Sequence, residues 1–197
     1  MILCLRVERL SERLQGLGGV IDRYERGDPD FAEAAIAWLR ATESLMAGLR
    51  AREAGELAVL RGGITRSGER ALQAEGERVP RGALRRARAV AAAEALERAG
   101  ALVQQLVGEA EGRLRHFEGK LIEAITAGVL VGLVTARGEV SQERWLALTW
   151  RRLAEHQATR PTAVYIASAL HAPDRLYILD RVLARLGEPE MTVLGSR

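Results

Sequence analysis

Cys4 and the three histidines, His116, His156 and His171, are the thiol and imidazole groups of this chain. Their spacing decides what they can do. No second cysteine stands beside Cys4 to complete a zinc pair, and no glutamate precedes a histidine by three positions as in helical di-iron sites. Cys4 has no histidine near it in sequence to act as a base, and the Gly-x-Ser-x-Gly elbow is absent. The phosphate-cradling Gly-x-x-x-x-Gly-Lys and Gly-x-Gly-x-x-Gly patterns are absent too. The residues therefore assign no catalytic, metal or cofactor position. The chain reads as non-enzymatic, and each of these four side chains reads as a packing or surface residue.

Arginine is the other group with chemistry to offer. Lys120 is the single lysine among 29 basic residues, against 26 acidic ones, for a net charge of +3. Arginine's planar fork suits phosphate and carboxylate, but the bias runs the length of the chain, which fits codon composition better than a site. It thickens over residues 61–90, where eight arginines face three glutamates. Arg81, Arg85 and Arg88 share a helical face there and are candidate contacts for nucleic acid or an acidic partner. No aromatic is interleaved for base stacking.

A second candidate lies near the C-terminus. Residues 162–170 form a short helix, 171–173 a turn, and 174–186 a second helix with Asp174, Tyr177, Arg181 and Arg185 on an outward stripe. This resembles a helix-turn-helix outline over about 25 residues. Arg181 and Arg185 are its candidate nucleic-acid contacts. Three residues depart from the outline: His171 at the turn, Asp180 at an apolar position, and Asp174 where phosphates would lie.

The elements that would position these groups are helical. Hydrophobic residues make up 48% and aromatics only 4%, and Ala, Leu, Glu and Arg dominate. Leu3, Val7, Leu10, Leu14, Leu17 and Ile21 alternate spacings of four and three, a heptad seam suited to helix pairing between copies. Tyr24 continues it, while Gly16, Gly18 and Gly19 weaken it. Gly27-Asp28-Pro29 stops this helix and starts another, with Asp28 as cap, over about 29–61. Residues 62–82 carry five glycines and one proline and read as a linker or mobile loop. Leu96, Ala99, Val103, Leu106, Ala110, Leu114, Phe117, Leu121 and Ile125 keep helical spacing in a long or segmented central helix.

Residues 124–136 are uncharged and apolar on every side, so burial on every side is expected, with Gly128 and Gly132 allowing close helix approach. The stretch is shorter than the ~20 residues a membrane span needs. Ser141 caps the next helix, and Leu176, Leu179, Leu183 and Leu186 form the core face of the last.

The expectation is an all-α bundle of about five to six helices: an N-terminal hairpin (1–61), a glycine-rich linker (62–82), a C-terminal bundle (83–190) and a tail (191–197). The absence of cysteine pairs and of a signal peptide points to the cytoplasm. Packing signals dominate, so the function expected is protein–protein interaction, as a homo-oligomer or within an assembly. The alternative is a DNA-binding regulator using 162–186, and an enzyme comes third.

Overall fold

The structure is a computed structural model. It describes the backbone of residues 2–75 and 81–186, and the side chains of all of these except 68–75 and 81. Seven helices and no strand occur among the described residues: α1 (Leu3–Glu25), α2 (Phe31–Gly48), α3 (Ala54–Glu75), α4 (Arg81–Leu130), α5 (Gln142–Glu155), α6 (Arg160–Ala169) and α7 (Ala172–Leu186). The chain is all-α, one helix richer than expected. It divides into two compact units, Arg6–Gly108 and Met1–Leu5 with Glu109–Arg197.

In the Arg6–Gly108 unit, four helical segments enclose one apolar core built on Leu10, Trp38, Leu39, Met46, Leu57, Ile64, Val103 and Leu106. α1 is tied to α2 by Trp38 Nε1, which donates to the Arg13 carbonyl at 3.1 Å, and by Arg13 Nη2, which donates to the Trp38 carbonyl at 3.2 Å. The turn after α1 differs slightly from expectation. Asp30, not Asp28, holds the cap position of α2, and Asp28 Oδ1 accepts the Asp30 N–H at 2.9 Å.

The long helix expected over 29–61 is two helices. Arg50 adopts φ 53° after Gly48, the Ala51 N–H donates to the Met46 carbonyl, and the Arg50 N–H donates to the Ala47 carbonyl, both at 2.9 Å. This pattern closes a helix through a left-handed residue, a place glycine normally takes. α3 then covers 62–75, the first part of the expected linker. Leu57 and Ile64 are fully buried with Leu60 against the same core, so apolar residues at helical spacing outweigh Gly62 and Gly63. Residues 76–80 lie outside the described chain. The division between units falls at 5/6 and 108/109 instead of within 62–82.

α4 is continuous over 50 residues, about 75 Å at 1.5 Å per residue. All nine residues of its stripe are buried. In the second unit that stripe is buried from Ala110 to Ile125, as are Trp145, Leu153, Ile166, Ile178 and Leu183. Ser141 Oγ accepts the Arg144 N–H at 3.4 Å and caps α5 as expected. On α7 the buried face is Asp174, Ile178, Leu179, Val182 and Leu183. Leu186, expected in the core, is exposed. The tail 191–197 lies outside the described residues.

The apolar stretch 124–136 corrects a second expectation. It is half core and half surface: Ala124, Ile125 and Val134 are buried, while Val129, Leu130 and Val131 are 43%, 83% and 50% exposed. Its two glycines have different tasks. Gly132 closes α4 with φ 72°: its N–H donates to the Val129 carbonyl at 3.1 Å, and the Leu133 N–H to the Gly128 carbonyl at 2.8 Å. At Gly128 a methyl group would sit 2.9 Å from Leu153 Cδ2, so α4 and α5 meet there without a side chain between them.

Candidate functional site

The heptad seam of α1 divides into residues seated in a core and residues left in water. Leu3 is buried in the Met1–Leu5/Glu109–Arg197 unit, and Val7 is half-buried. Leu10 is fully buried, with Leu14 and Leu17 packed on the same core. These seam members are therefore seated against their own chain. Ile21 and Tyr24 are the exposed members, at 44% and 49%, although the Tyr24 ring still meets Phe31.

Together they border a groove of about 490 Å³ within the Arg6–Gly108 unit. Its walls are Leu17, Ile21 and Tyr24 from α1, Phe31 from the start of α2, and Ala93, Leu96, Gly100 and Ala101 from α4, with Glu97 and Gln104 on the edge. A methyl group at Gly100 would lie 3.0 Å from Leu17 Cδ2, so the absence of a side chain there lets α1 approach α4 closely. The Tyr24 ring lies tilted at 52° to Phe31, with ring centroids 5.0 Å apart, and both rings line the groove. Gly16, Gly18 and Gly19 lie on α1 in open space, with nothing within 4 Å of where a methyl group would stand. Each costs the helix about 1 kcal/mol.

The basic cluster is less free than its sequence suggests. Arg88 Nη2 donates to Glu33 Oε1 at 2.6 Å. Arg85, Arg86 and Arg88 share a surface groove of about 390 Å³ with Asp28 and Glu33, so carboxylates sit among the arginines. The Arg81 side chain lies outside those described.

Arg181 and Arg185 are partly exposed, as the outward stripe requires, but both are tied to one carboxylate. Arg185 Nη1 donates to Glu118 Oε2 at 3.1 Å, and Arg181 Nε lies 3.0 Å from Glu118 Oε1, outside hydrogen-bond geometry. Glu118 is 2% exposed. A buried carboxylate on α4 thus holds both arginines to it, through an ion pair that local spacing does not announce. Asp174, expected on the same stripe, is fully buried, and its Oδ1 accepts the Cys4 N–H at 2.8 Å.

That contact also settles the chemistry of Cys4. Burial, then the hydrogen bond to Asp174 and the charge of that carboxylate, push the thiol up to about 11. It is protonated at neutral pH and is a poor nucleophile. His116 meets Tyr165 (Nε2 to the hydroxyl oxygen, 3.4 Å) and the ring of Phe117. His156 Nδ1 accepts the Ala158 N–H at 3.3 Å. Among the described residues no three His, Cys, Asp or Glu side chains gather as a metal site, and no helix is long and apolar enough to cross a membrane.

Compared with protein families, with curated proteins and with solved structures, the chain matches none.

Proposed function

We propose that this protein is a non-enzymatic helical interaction subunit, self-associating or part of a larger protein assembly, and that the α1–α4 groove is its docking surface. The observation that carries the reading is the fate of the heptad seam. Leu3 and Leu10 are buried and Val7, Leu14 and Leu17 partly buried within the chain, whereas Ile21 and Tyr24 stand half in water around an apolar groove. A volume of about 490 Å³ falls within the ~300–1,000 Å³ of ligand-sized sites, and the walls are helix faces, the geometry of helix-in-groove recognition. Exposed large apolar side chains clustered around an apolar concavity mark contact surfaces, whereas Val59 borders a concavity that Arg66, Glu94 and Arg98 also line.

A photo-crosslinking residue at position 24, in the full chain expressed in its native host, tests this. A discrete covalent protein adduct is expected, and Ile21→Asp on the same chain should abolish it. The same crosslinker at position 59 should give no such adduct. An adduct that forms equally from both positions, or that survives Ile21→Asp, contradicts the reading.

A further inference from the structure

The groove of about 390 Å³ lined by the α1–α2 turn and the first turns of α4 holds five charged side chains, and their pairing is uneven. Arg88 Nη2 donates to Glu33 Oε1 at 2.6 Å. Asp28 Oδ2 lies 3.7 Å from Arg23 Nη1, and its Oδ1 accepts the Asp30 N–H. Both carboxylates of the lining are thus matched by an arginine. Arg85 and Arg86 are exposed, line the same groove, and have no carboxylate partner among the described residues. Glu25, Arg26 and Asp30 stand close by in sequence but do not line it. The surplus inside the groove is therefore two guanidiniums. Gly82 and Leu84 from the first turn of α4 line it as well, at the end where a helix dipole is positive.

We propose that this groove binds a small organic phosphate: a phosphate monoester with an aromatic body. A phosphate monoester carries a charge of about −1.5 to −2 at pH 7. Two unpaired guanidiniums match that charge, whereas a carboxylate brings only one. Each guanidinium is a planar fork that fits two phosphate oxygens. The uncharged part of the lining suits the body of such a molecule. Tyr24 is 49% exposed and its ring meets Phe31, so an aromatic face borders the arginines. The volume lies within the ~300–1,000 Å³ of small-molecule sites. Glu33 limits the affinity, because it occupies Arg88, the third guanidinium of the lining. The site shares only Tyr24 and Phe31 with the α1–α4 groove and is independent of what fills that groove.

The test is isothermal titration of the full chain with phenyl phosphate, inorganic phosphate and benzoate at matched ionic strength. Phenyl phosphate should bind with a Kd of about 1 mM or tighter. Inorganic phosphate, which lacks the ring, should bind roughly three- to tenfold more weakly, and benzoate roughly tenfold more weakly. Replacing Arg85 and Arg86 together with alanine should weaken phenyl phosphate roughly tenfold or more. Arg40→Ala, at an exposed arginine of the same unit outside the groove, should leave binding unchanged. Glu33→Gln frees Arg88 and should tighten binding roughly two- to fivefold. Tyr24→Ala should bring phenyl phosphate down to the level of inorganic phosphate and leave inorganic phosphate as it was. Both arginines are exposed, so circular dichroism should show unchanged helix; Arg85→Gln with Arg86→Gln provides the same test should the alanines unfold the chain. Absence of saturable binding up to about 10 mM, a double variant that binds like wild type, or an equal loss from Arg40→Ala overturns the proposal. Benzoate binding as tightly as phenyl phosphate overturns the assignment to phosphate, and a Tyr24→Ala variant that binds phenyl phosphate like wild type overturns the aromatic body.

Discussion

Replacing Arg181 and Arg185 together with alanine would strand Glu118, a carboxylate that is 2% exposed, with neither of its two countercharges. At an effective dielectric of about 20, a unit charge pair at this range attracts by about 4 kcal/mol. Desolvating the carboxylate takes back much of that. The two guanidiniums also keep 33% and 56% of their side-chain surface in water, so solvent screens them. The net loss expected is about 1–2 kcal/mol per arginine and roughly 2–4 for the pair. Arg185→Ala should be the milder single substitution, since it is the more exposed. Adding Glu118→Leu to the double variant removes the stranded charge, and stability should return to within about 1 kcal/mol of wild type. Urea unfolding followed by circular dichroism at 222 nm gives the whole cycle. A double alanine variant within about 0.5 kcal/mol of wild type would show that Glu118 does not depend on its arginines, as would a Glu118→Leu that adds to the loss instead of reversing it.

Arg50 holds φ 53°, so Arg50→Gly should stabilise the chain by about 1 kcal/mol, read from the urea midpoint. Gly128→Ala should destabilise by about 1 kcal/mol, because the clash with fully buried Leu153 outweighs the gain in helix propensity. The Cys4 thiol titrates higher in the folded chain, at about 11, than its ordinary value of 9.0. Its protonated form is thus the one folding favours: that contribution is complete below pH ~9 and declines as pH rises towards ~11. Stability measured across that window should fall more steeply for wild type than for Cys4→Ala, and iodoacetamide at pH 8 should label the native thiol far more slowly than the unfolded one. Duplex DNA should not bind at 150 mM salt; binding with a log–log salt slope of about −4 or steeper would reverse the functional reading.

Much of the architecture was legible because burial follows period. The α4 stripe from Leu96 to Ile125 appears in the sequence as it does in the core, and Ser141 announces α5 by its position before Trp145. The exceptions share a cause: local chemistry was outvoted by tertiary packing, or an unusual residue took a familiar role. Arginine, not glycine, takes the left-handed position that ends α2, so no stop signal is visible there. Gly62 and Gly63 look like a linker until Leu57 and Ile64 find a core. An apolar run predicts burial on every side, but Gly132 ends the helix and turns its last residues outward. At the candidate site, the seam was visible in sequence, and its division into buried and exposed members was not. That division depends on where α4 lies against α1. The pairing of Glu118 with residues 63 and 67 positions later leaves no local trace either.

The proposed function stands on the α1–α4 groove, and its sharpest test is the apparent mass of the tagged chain in an extract of its own host. Wild type should elute within an assembly well above 21.5 kDa. An Ile21→Asp, Tyr24→Ser variant, which loses the Tyr24–Phe31 ring contact and about 1–2 kcal/mol of stability but should keep its helix content by circular dichroism, should elute at the mass of the free chain. A variant that keeps its fold and still elutes with the assembly would contradict the claim that this groove is where the protein meets its partner.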